Sequence, residues 1–107
     1  MFKYTVSKKE NQTVFKLEGD LDIEATEVIE EKMTEDLSEG NTDVVFDFQN
    51  IDFVDSSGIG LLITLVTDLK ENNRNPVIIH VQEDVKFVFD LLELDKILGS
   101  DVLAFNS

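Results

Sequence analysis

Segments with strand-like and helix-like hydrophobic periods alternate along this chain, and their order limits the folds that it can adopt. Residues 2–6 and 14–18 alternate apolar and polar side chains, as half-buried strands do, and a short polar connection separates them. A helical period follows over residues 23–37, with acidic side chains on its outer faces. The later segments are an apolar strand at 44–48, a second apolar patch at 51–54, a helix ending near residue 72, a strand at 77–81, a helix at 83–92 and a last short strand at 102–105.

The predicted order of elements is therefore β-β-α-β-α-β-α-β. Strands joined through helices run parallel, whereas the first two strands form a hairpin. We expect an α/β fold with a mixed β-sheet, consisting of an N-terminal antiparallel hairpin and then parallel β-α-β units, with helices packed on it. The strand at 44–48 is mostly apolar, which is typical of a strand covered on both faces. Residues 1–107 are expected to form a single domain with one core.

The charge balance excludes several kinds of partner. With 9 Lys and Arg against 23 Asp and Glu, the formal net charge is −14, whereas nucleic acids and anionic membranes are bound by clustered cations. The chain has no Cys and one His, which excludes disulfides, thiol chemistry and most zinc sites. No run approaches the ~20 apolar residues of a membrane span. We expect a cytoplasmic protein that binds no nucleic acid, membrane, metal or cofactor.

Two segments are expected at the carboxyl ends of parallel strands, where ligands gather in such sheets: residues 19–22 and 55–60. Asp22 and Asp55 stand where the following helix needs an N-cap. Capping does not explain Gly58 and Gly60, because each Gly within a helix costs about 1 kcal/mol relative to Ala. A missing Cβ lets another backbone or a bulky partner approach closely. We therefore interpret the second segment as functional.

The common enzyme motifs do not fit this segment. A dinucleotide-binding loop requires a third Gly where Ile63 stands, and a P-loop requires Lys where Leu61 stands. A nucleophile elbow around Ser56 requires Gly in place of Val54. A hydrolase that uses Ser56 with His80 remains as an alternative, although a lone His at a strand end is more often bonded to backbone or water. We assign no catalytic residue and expect no enzyme.

Three segments together resemble a known family. Residues 19–22 (GDLD), 55–60 (DSSGIG) and 85–90 (VKFVFD) are similar in order and spacing to those of the anti-sigma factor antagonists, the single-domain branch of the STAS fold. The resemblance implies phosphorylation of Ser56, with Ser57 as the second candidate, by a partner serine kinase that is itself the anti-sigma factor. The unmodified protein would bind this kinase and free the sigma factor. Phosphorylation would release the kinase, and a protein phosphatase would reset the cycle.

We hypothesise separate roles for the neighbouring residues from their chemistry. Asp22 would hold its loop or contact a basic group on the partner, and Asp55 would orient the phosphorylated Ser. Gly58 would allow close approach, and Ile59 would hold the helix to the core. Phe87 and Leu94 lie off the core stripe of the helix at 83–92, which includes Leu92, and each is either buried against a second neighbour or part of a partner-binding or self-association patch. The expected partner-binding residues are Asp20, Asp22, Asp55, Ser56, Ser57, Gly58, Ile59 and Phe87.

A second interpretation keeps the fold and changes the role. The chain would then be a STAS scaffold or an accessory subunit of a larger signalling or transport assembly, without sigma-factor control. A stable multimer would favour that role, whereas the antagonist is expected to be a monomer or a weak dimer.

Overall fold

The computed structural model describes residues 2–33, 43–99 and 101–104. A π-helix over Ile29–Met33 directly continues the first helix. The strands and α-helices are β1 (Lys3–Lys8), β2 (Gln12–Leu21), α1 (Ile23–Val28), β3 (Asp43–Val54), α2 (Ser56–Glu71), β4 (Asn75–Ile79), α3 (Glu83–Leu91), α4 (Leu94–Leu98) and β5 (Leu103–Ala104).

The five strands form one sheet in the order β1-β2-β3-β4-β5. β1 and β2 are antiparallel, and every following pair of neighbours is parallel. Because each crossover moves one strand further in the same direction and such crossovers are right-handed, the connecting helices share one face of the sheet. The predicted α/β fold, an antiparallel hairpin followed by parallel β-α-β units, is confirmed.

The core lies between that face and the helices. Phe15 of β2 stacks on Phe46 of β3 with ring centroids 5.7 Å apart, and Phe48 meets Phe89 of α3 edge-on at 5.9 Å. All four rings are buried, and each contributes about 1.5–3 kcal/mol through removal from water. Val45, on the opposite face of β3, is only half-buried. The expectation that this strand is covered on both faces is therefore wrong for the described helices, which cover one.

β3 is a single strand where the sequence suggested two apolar patches, at 44–48 and 51–54. It pairs with β2 throughout, and the register shifts at two places, between residues 16 and 18 and between residues 19 and 20 of β2. Gly19 lies at the second shift with φ of 99°, a left-handed conformation that glycine adopts without strain. Each register shift inserts one extra residue into β3 relative to β2. The polar residues between the two apolar patches therefore remain part of β3.

Among the described strands, the last part of β3 has a neighbour on one side only. β4 begins two residues before the predicted 77–81 and ends at Ile79, opposite Asp47. Just beyond this point, the side-chain amide of Gln82 donates to the carbonyl oxygen of Gln49 at 2.7 Å. This hydrogen bond uses an acceptor that an additional strand would otherwise need.

The first helix begins at Ile23 as predicted, but its α-helical part is shorter than the hydrophobic period suggested. It ends at Val28, and the chain continues as the π-helix. Ala25 and Ile29 are buried, in agreement with the expected core stripe. Residues 34–37 of the predicted helix, and Phe105 of the predicted last strand, lie outside the described residues.

The C-terminal helical region differs most from the prediction. Glu93 adopts a left-handed φ of 53°, which separates α3 from a further helix, α4, that the sequence did not indicate. This change of direction carries Leu94 into the core, where it is 0 % exposed, and leaves Leu92 44 % exposed. The hydrophobic pattern placed Leu92 on the core stripe, which is wrong. It placed Leu94 off that stripe, either buried against a second neighbour or part of a binding patch, and the burial of Leu94 excludes the patch. The stripe fails at Leu92 because the helical direction changes at residue 93.

Candidate functional site

The two segments expected to lie together meet at one corner of the molecule, formed by the end of β2 and the start of α2. Leu21 and Val54 are neighbours in the parallel register. The backbone N–H of Asp55 donates to the carbonyl oxygen of Leu21 at 3.1 Å. The chain therefore enters α2 from a position that is hydrogen-bonded to β2. We call residues 19–24 and 50–60 the α2 corner.

The backbone at this corner leaves no room for a side chain at Gly58. A Cβ at this position would overlap the carbonyl oxygen of Leu21 and would lie 2.6 Å from the carbonyl carbon. Real Cβ atoms essentially never come so close to backbone, so a side chain here would force β2 and α2 apart. The backbone that approaches Gly58 therefore belongs to this chain. At Gly60, in contrast, a Cβ would meet nothing within 4 Å, so internal packing does not explain that glycine.

Both acidic residues expected as helix caps act as caps. The Asp22 carboxylate accepts hydrogen bonds from the backbone N–H groups of Glu24 at 3.0 Å and Ala25 at 3.2 Å. The Asp55 carboxylate accepts from the N–H of Gly58 at 2.9 Å. Such caps satisfy backbone donors that a helix start leaves free, and each contributes about 1 kcal/mol.

Ser56 and Ser57 are the first two residues of α2, and both are exposed. Their backbone is held by the Asp55 cap on one side and by the contact between Gly58 and Leu21 on the other. The first turn of α2, which carries both serines, is therefore exposed to solvent while its backbone is held in place. The N-terminus of a helix also favours a negative charge placed on it.

The α2 corner is strongly acidic. Its five acidic residues are Asp20, Asp22, Glu24, Asp52 and Asp55. A cation, Lys3, lies at its edge, where it lines a surface cavity together with Gly19, Asn50 and Asp52. Asp20 and Asp22 are half-buried, whereas Glu24 and Asp52 are exposed. A complementary protein surface should therefore carry positive charge.

Two of the residues singled out in the sequence lie outside this exposed surface. Ile59 is 4 % exposed, which fits its expected role of holding α2 to the core. Phe87 is 64 % exposed on α3, a helix that packs mainly on β3 and α4. Of the two alternatives for Phe87, burial against a second neighbour is therefore wrong, and the partner-binding patch stays a prediction.

Sequence reasoning missed two exposed apolar side chains at the corner. Ile23, the first residue of α1, is 65 % exposed, and Phe53 of β3 is 52 % exposed. The register explains Phe53: Ile51 pairs with Gly19 and Phe53 with Asp20, so one extra β3 residue between them breaks the strand alternation. A signal was present for Ile23, since it directly follows a capping Asp and lies outside the core stripe of its helix.

His80 lies away from the corner and contacts Asp47. Its Nδ1 lies 3.2 Å from Oδ1 of Asp47, a side chain that is 8 % exposed. The same oxygen accepts from the backbone N–H of Gln49 at 2.9 Å. The sequence suggested backbone or water as the partner of His80, whereas the observed partner is a carboxylate.

The hydrolase alternative needs His80 within hydrogen-bond reach of Ser56. His80 directly follows Ile79, which pairs with Asp47. Ser56 lies beyond the end of β3 at Val54, which is seven residues further along this extended strand than Asp47. The structure therefore does not bring the two side chains together.

The part of the chain that the structure describes gives no indication of a metal centre or of a membrane-spanning helix. No three His, Asp or Glu side chains are grouped as a metal site would need. None of the described helices combines the length and the apolar character that crossing a bilayer demands.

Comparison with known proteins assigns the chain to a family. The sequence model of the STAS domain matches residues 3–106. The anti-sigma-B factor antagonist of Staphylococcus epidermidis is 30 % identical over 83 residues, covering 78 % of this chain and 77 % of the relative. The anti-sigma factor antagonist SpoIIAA in its unphosphorylated form superposes with a TM-score of 0.76 at 22 % identity, covering 98 % of this chain and 89 % of that one. The phosphorylated form of the Bacillus cell fate determinant SpoIIAA superposes with a TM-score of 0.71 at 20 % identity, covering 98 % and 92 %. This chain therefore belongs to the STAS domain family, among the anti-sigma factor antagonists.

Proposed function

We propose that this protein is a phosphorylatable anti-sigma factor antagonist of a cytoplasmic partner-switching circuit. Unphosphorylated, it binds an anti-sigma factor that is also a serine kinase, and it releases that partner when Ser56 is phosphorylated. Sigma-factor-dependent transcription is regulated as a result, and the protein performs no catalysis of its own. The observation that carries the proposal is the exposed Ser56 hydroxyl on the first turn of a helix whose start is fixed to β2.

The geometry suits a kinase substrate. Phosphoryl transfer depends mainly on positioning the acceptor hydroxyl in line with the nucleotide. Ser56 follows Asp55, whose backbone N–H is bonded to Leu21 and whose carboxylate caps the helix. A kinase that docks on this corner therefore receives a hydroxyl whose backbone is already ordered.

Phosphorylation should change the interface and leave the fold intact. A phosphoserine carries about −1.5 to −2 charges at pH 7, and a helix N-terminus favours such a charge by about 0.3–1 kcal/mol. In the complex, this group faces Asp22, Asp55 and the phosphates of the nucleotide left in the kinase site. Loss of one charge-assisted hydrogen bond costs about 1.5–3 kcal/mol. We therefore expect affinity for the kinase to fall by about ten- to two-hundredfold.

The remaining corner residues take separate parts in this proposal. Asp20 and Asp22 face basic groups of the kinase, and Ser57 lies beside the acceptor. Gly58 keeps the turn against β2, and Ile59 holds α2 in place from within the core. Phe87 extends the contact surface on α3, for which its exposure of 64 % provides the support.

The test uses the purified serine kinase from the same genome with ATP, followed by mapping of the modified residue by mass spectrometry. We expect modification at Ser56 in the wild-type chain and none in Ser56→Ala. Ser57→Ala, which changes the neighbouring exposed hydroxyl, serves as the matched control and should be modified normally. Phosphate on Ser56→Ala at the wild-type rate would remove Ser56 as the acceptor.

The other partners follow from the same proposal. A protein phosphatase should restore kinase binding to the phosphorylated chain, which can be measured by isothermal titration calorimetry before and after treatment. The net charge of −14 disfavours self-association, so sedimentation should give a monomer or a weak dimer. A stable multimer that binds no kinase would instead support the scaffold or accessory-subunit role.

A further inference from the structure

Two large apolar side chains of the α2 corner are exposed to solvent. Ile23 is 65 % exposed and Phe53 is 52 % exposed. Both lie near the strand ends that the hydrogen bond between Asp55 and Leu21 joins: Phe53 pairs with Asp20 on β2, and Ile23 follows the Asp22 cap. Aromatic residues are enriched in the cores of recognition surfaces, whose rims are polar.

Phe53 is exposed because of backbone structure that cannot easily rearrange. The extra residue in β3 places Phe53 outward, while Val54 directly after it is 5 % exposed and faces the core. The N–H of the next residue, Asp55, is bonded to the Leu21 carbonyl oxygen. Phe53 therefore cannot turn inward without breaking the connection that orders α2.

Hydrogen bonds also fix the backbone around Ile23. The preceding residue, Asp22, caps the helix with two hydrogen bonds. The hydroxyl of Thr26 donates to the carbonyl oxygen of Ile23 at 2.6 Å. With an ordered backbone, an apolar side chain loses less conformational freedom on binding, so more of its burial contributes to affinity.

The charges around these two residues indicate the kind of partner. The corner holds five acidic residues, with the cation Lys3 at its edge, so its charge is predominantly negative. A second copy of this chain would bring an equally acidic surface to the interface, which long-range repulsion opposes. A partner with an apolar pocket surrounded by basic residues would match both the charge and the apolar pair.

We propose that Ile23 and Phe53 are the two apolar anchor residues that the anti-sigma factor kinase buries when it binds this protein. The proposal rests on the function proposed above and specifies the contact that provides most of the affinity. The acidic residues would speed the encounter, and the apolar pair would slow dissociation. Truncation of a central aromatic anchor usually has a large effect, so we expect Phe53→Ser to raise Kd about thirtyfold and Ile23→Ser about tenfold.

The experiment measures Kd by calorimetry between the full chain and the purified serine kinase from the same genome, loaded with ADP so that no phosphoryl transfer occurs. Ile97→Ser is the matched control, because Ile97 is 55 % exposed and lies beside the C-terminal part of α2. Its Kd should stay within about twofold of the wild-type value. Circular dichroism melting of each variant checks that the fold is retained.

A kinetic measurement separates anchoring from a general loss of structure. With ATP present, Phe53→Ser should raise the KM of the kinase for this substrate while kcat changes little, because a saturated complex still presents Ser56. Raised salt should lower the association rate of the wild-type chain and of Phe53→Ser to a similar degree, since both keep the same charges.

The outcomes distinguish the two proposals. If the wild-type chain binds the kinase and is phosphorylated on Ser56, but Ile23→Ser and Phe53→Ser bind equally tightly, the anchors are refuted and the proposed function stands. If the wild-type chain neither binds nor is phosphorylated, both proposals are refuted. Sedimentation that shows a wild-type dimer abolished by Phe53→Ser would assign the surface to a second copy and overturn the kinase as its occupant.

Discussion

The two ends of helix α2 are joined to the rest of the molecule by different means. At the start of α2, the contacts are between backbone groups: the Asp55 N–H donates to the Leu21 carbonyl oxygen, and Gly58 lies against the same peptide group. At its end, a side chain makes the connection, because the Lys70 ammonium group donates to the carbonyl oxygen of Leu98 at 2.7 Å.

This difference separates a part of the molecule that must keep its shape from a part that can adjust. Backbone groups in contact cannot adopt new rotamers, so the start of α2 moves only if β2 moves too. A Lys side chain has several rotatable bonds, and Lys70 is 38 % exposed, so water can replace its partner. We expect substitutions at the start of α2 to have larger and more position-specific effects than substitutions at its end.

The largest effect is expected for Gly58→Ala. The new Cβ would overlap the Leu21 carbonyl, and overpacking of this kind costs about 1–3 kcal/mol. Urea denaturation should therefore show a free energy of unfolding lower by about 2–3 kcal/mol, and kinase binding should weaken because Ser56 is displaced. A Gly58→Ala chain as stable as the wild type would show that the start of α2 adjusts as easily as its end.

A smaller loss is expected when the capping carboxylate is removed by Asp55→Ala. The N–H of Gly58 would lose its acceptor, which costs about 1 kcal/mol in typical helices. Asp55→Asn, which keeps an oxygen acceptor, is the matched control and should retain most of the stability. Equal denaturation midpoints for the Ala and Asn variants would contradict the capping role.

Gly60→Ala should have the opposite sign. A Cβ at this position meets no atom within 4 Å, so replacing Gly by the better helix former should raise the free energy of unfolding by about 0.5–1 kcal/mol. Calorimetry with the kinase then tells whether the partner uses the open space. Weaker binding by a more stable variant would mean that the kinase comes close to α2 at this residue.

The smallest effect is expected at the far end of the helix, for Lys70→Met. The apolar part of the side chain is kept, while the hydrogen bond to Leu98 and the ion pair with Asp101, at 3.5 Å, are lost. Because water can replace both partners of the exposed ammonium group, such interactions contribute about 0–1 kcal/mol, toward the low end for a pair as exposed as this one. Thermal denaturation should reveal only a small shift, and a loss as large as that of Gly58→Ala would remove the contrast between the two ends.

Features encoded by neighbouring residues were predictable from the sequence. Asp22 and Asp55 could be identified as caps because a cap needs an acceptor only two or three residues before its donors. The strand order followed from the alternation of hydrophobic periods, and the meeting of residues 19–22 with 55–60 followed from the strand order. These inferences required no knowledge of distant contacts.

The missed features depend on contacts or backbone angles that no local pattern reveals. Leu94 is buried because Glu93 takes a left-handed φ of 53°, which a non-glycine residue gives little reason to expect. Phe53 is exposed because a register shift against β2 inserts one residue. The pairing of His80 with Asp47 joins residues 33 positions apart. The sequence identified Gly58 as unusual, but only the structure shows that Leu21 is the group it accommodates.

Because β4 ends at Ile79, the last part of β3 has an open edge among the described strands, and several features there oppose aggregation through that edge. The last part of β3 offers backbone groups that another chain could extend by edge-to-edge pairing, and Phe53 would add apolar contact to such a pairing. The extra residue distorts the strand there, Asp52 adds a charge, and Gln82 already occupies the carbonyl of Gln49. Phe53 can thus remain exposed while strand addition by other chains is discouraged.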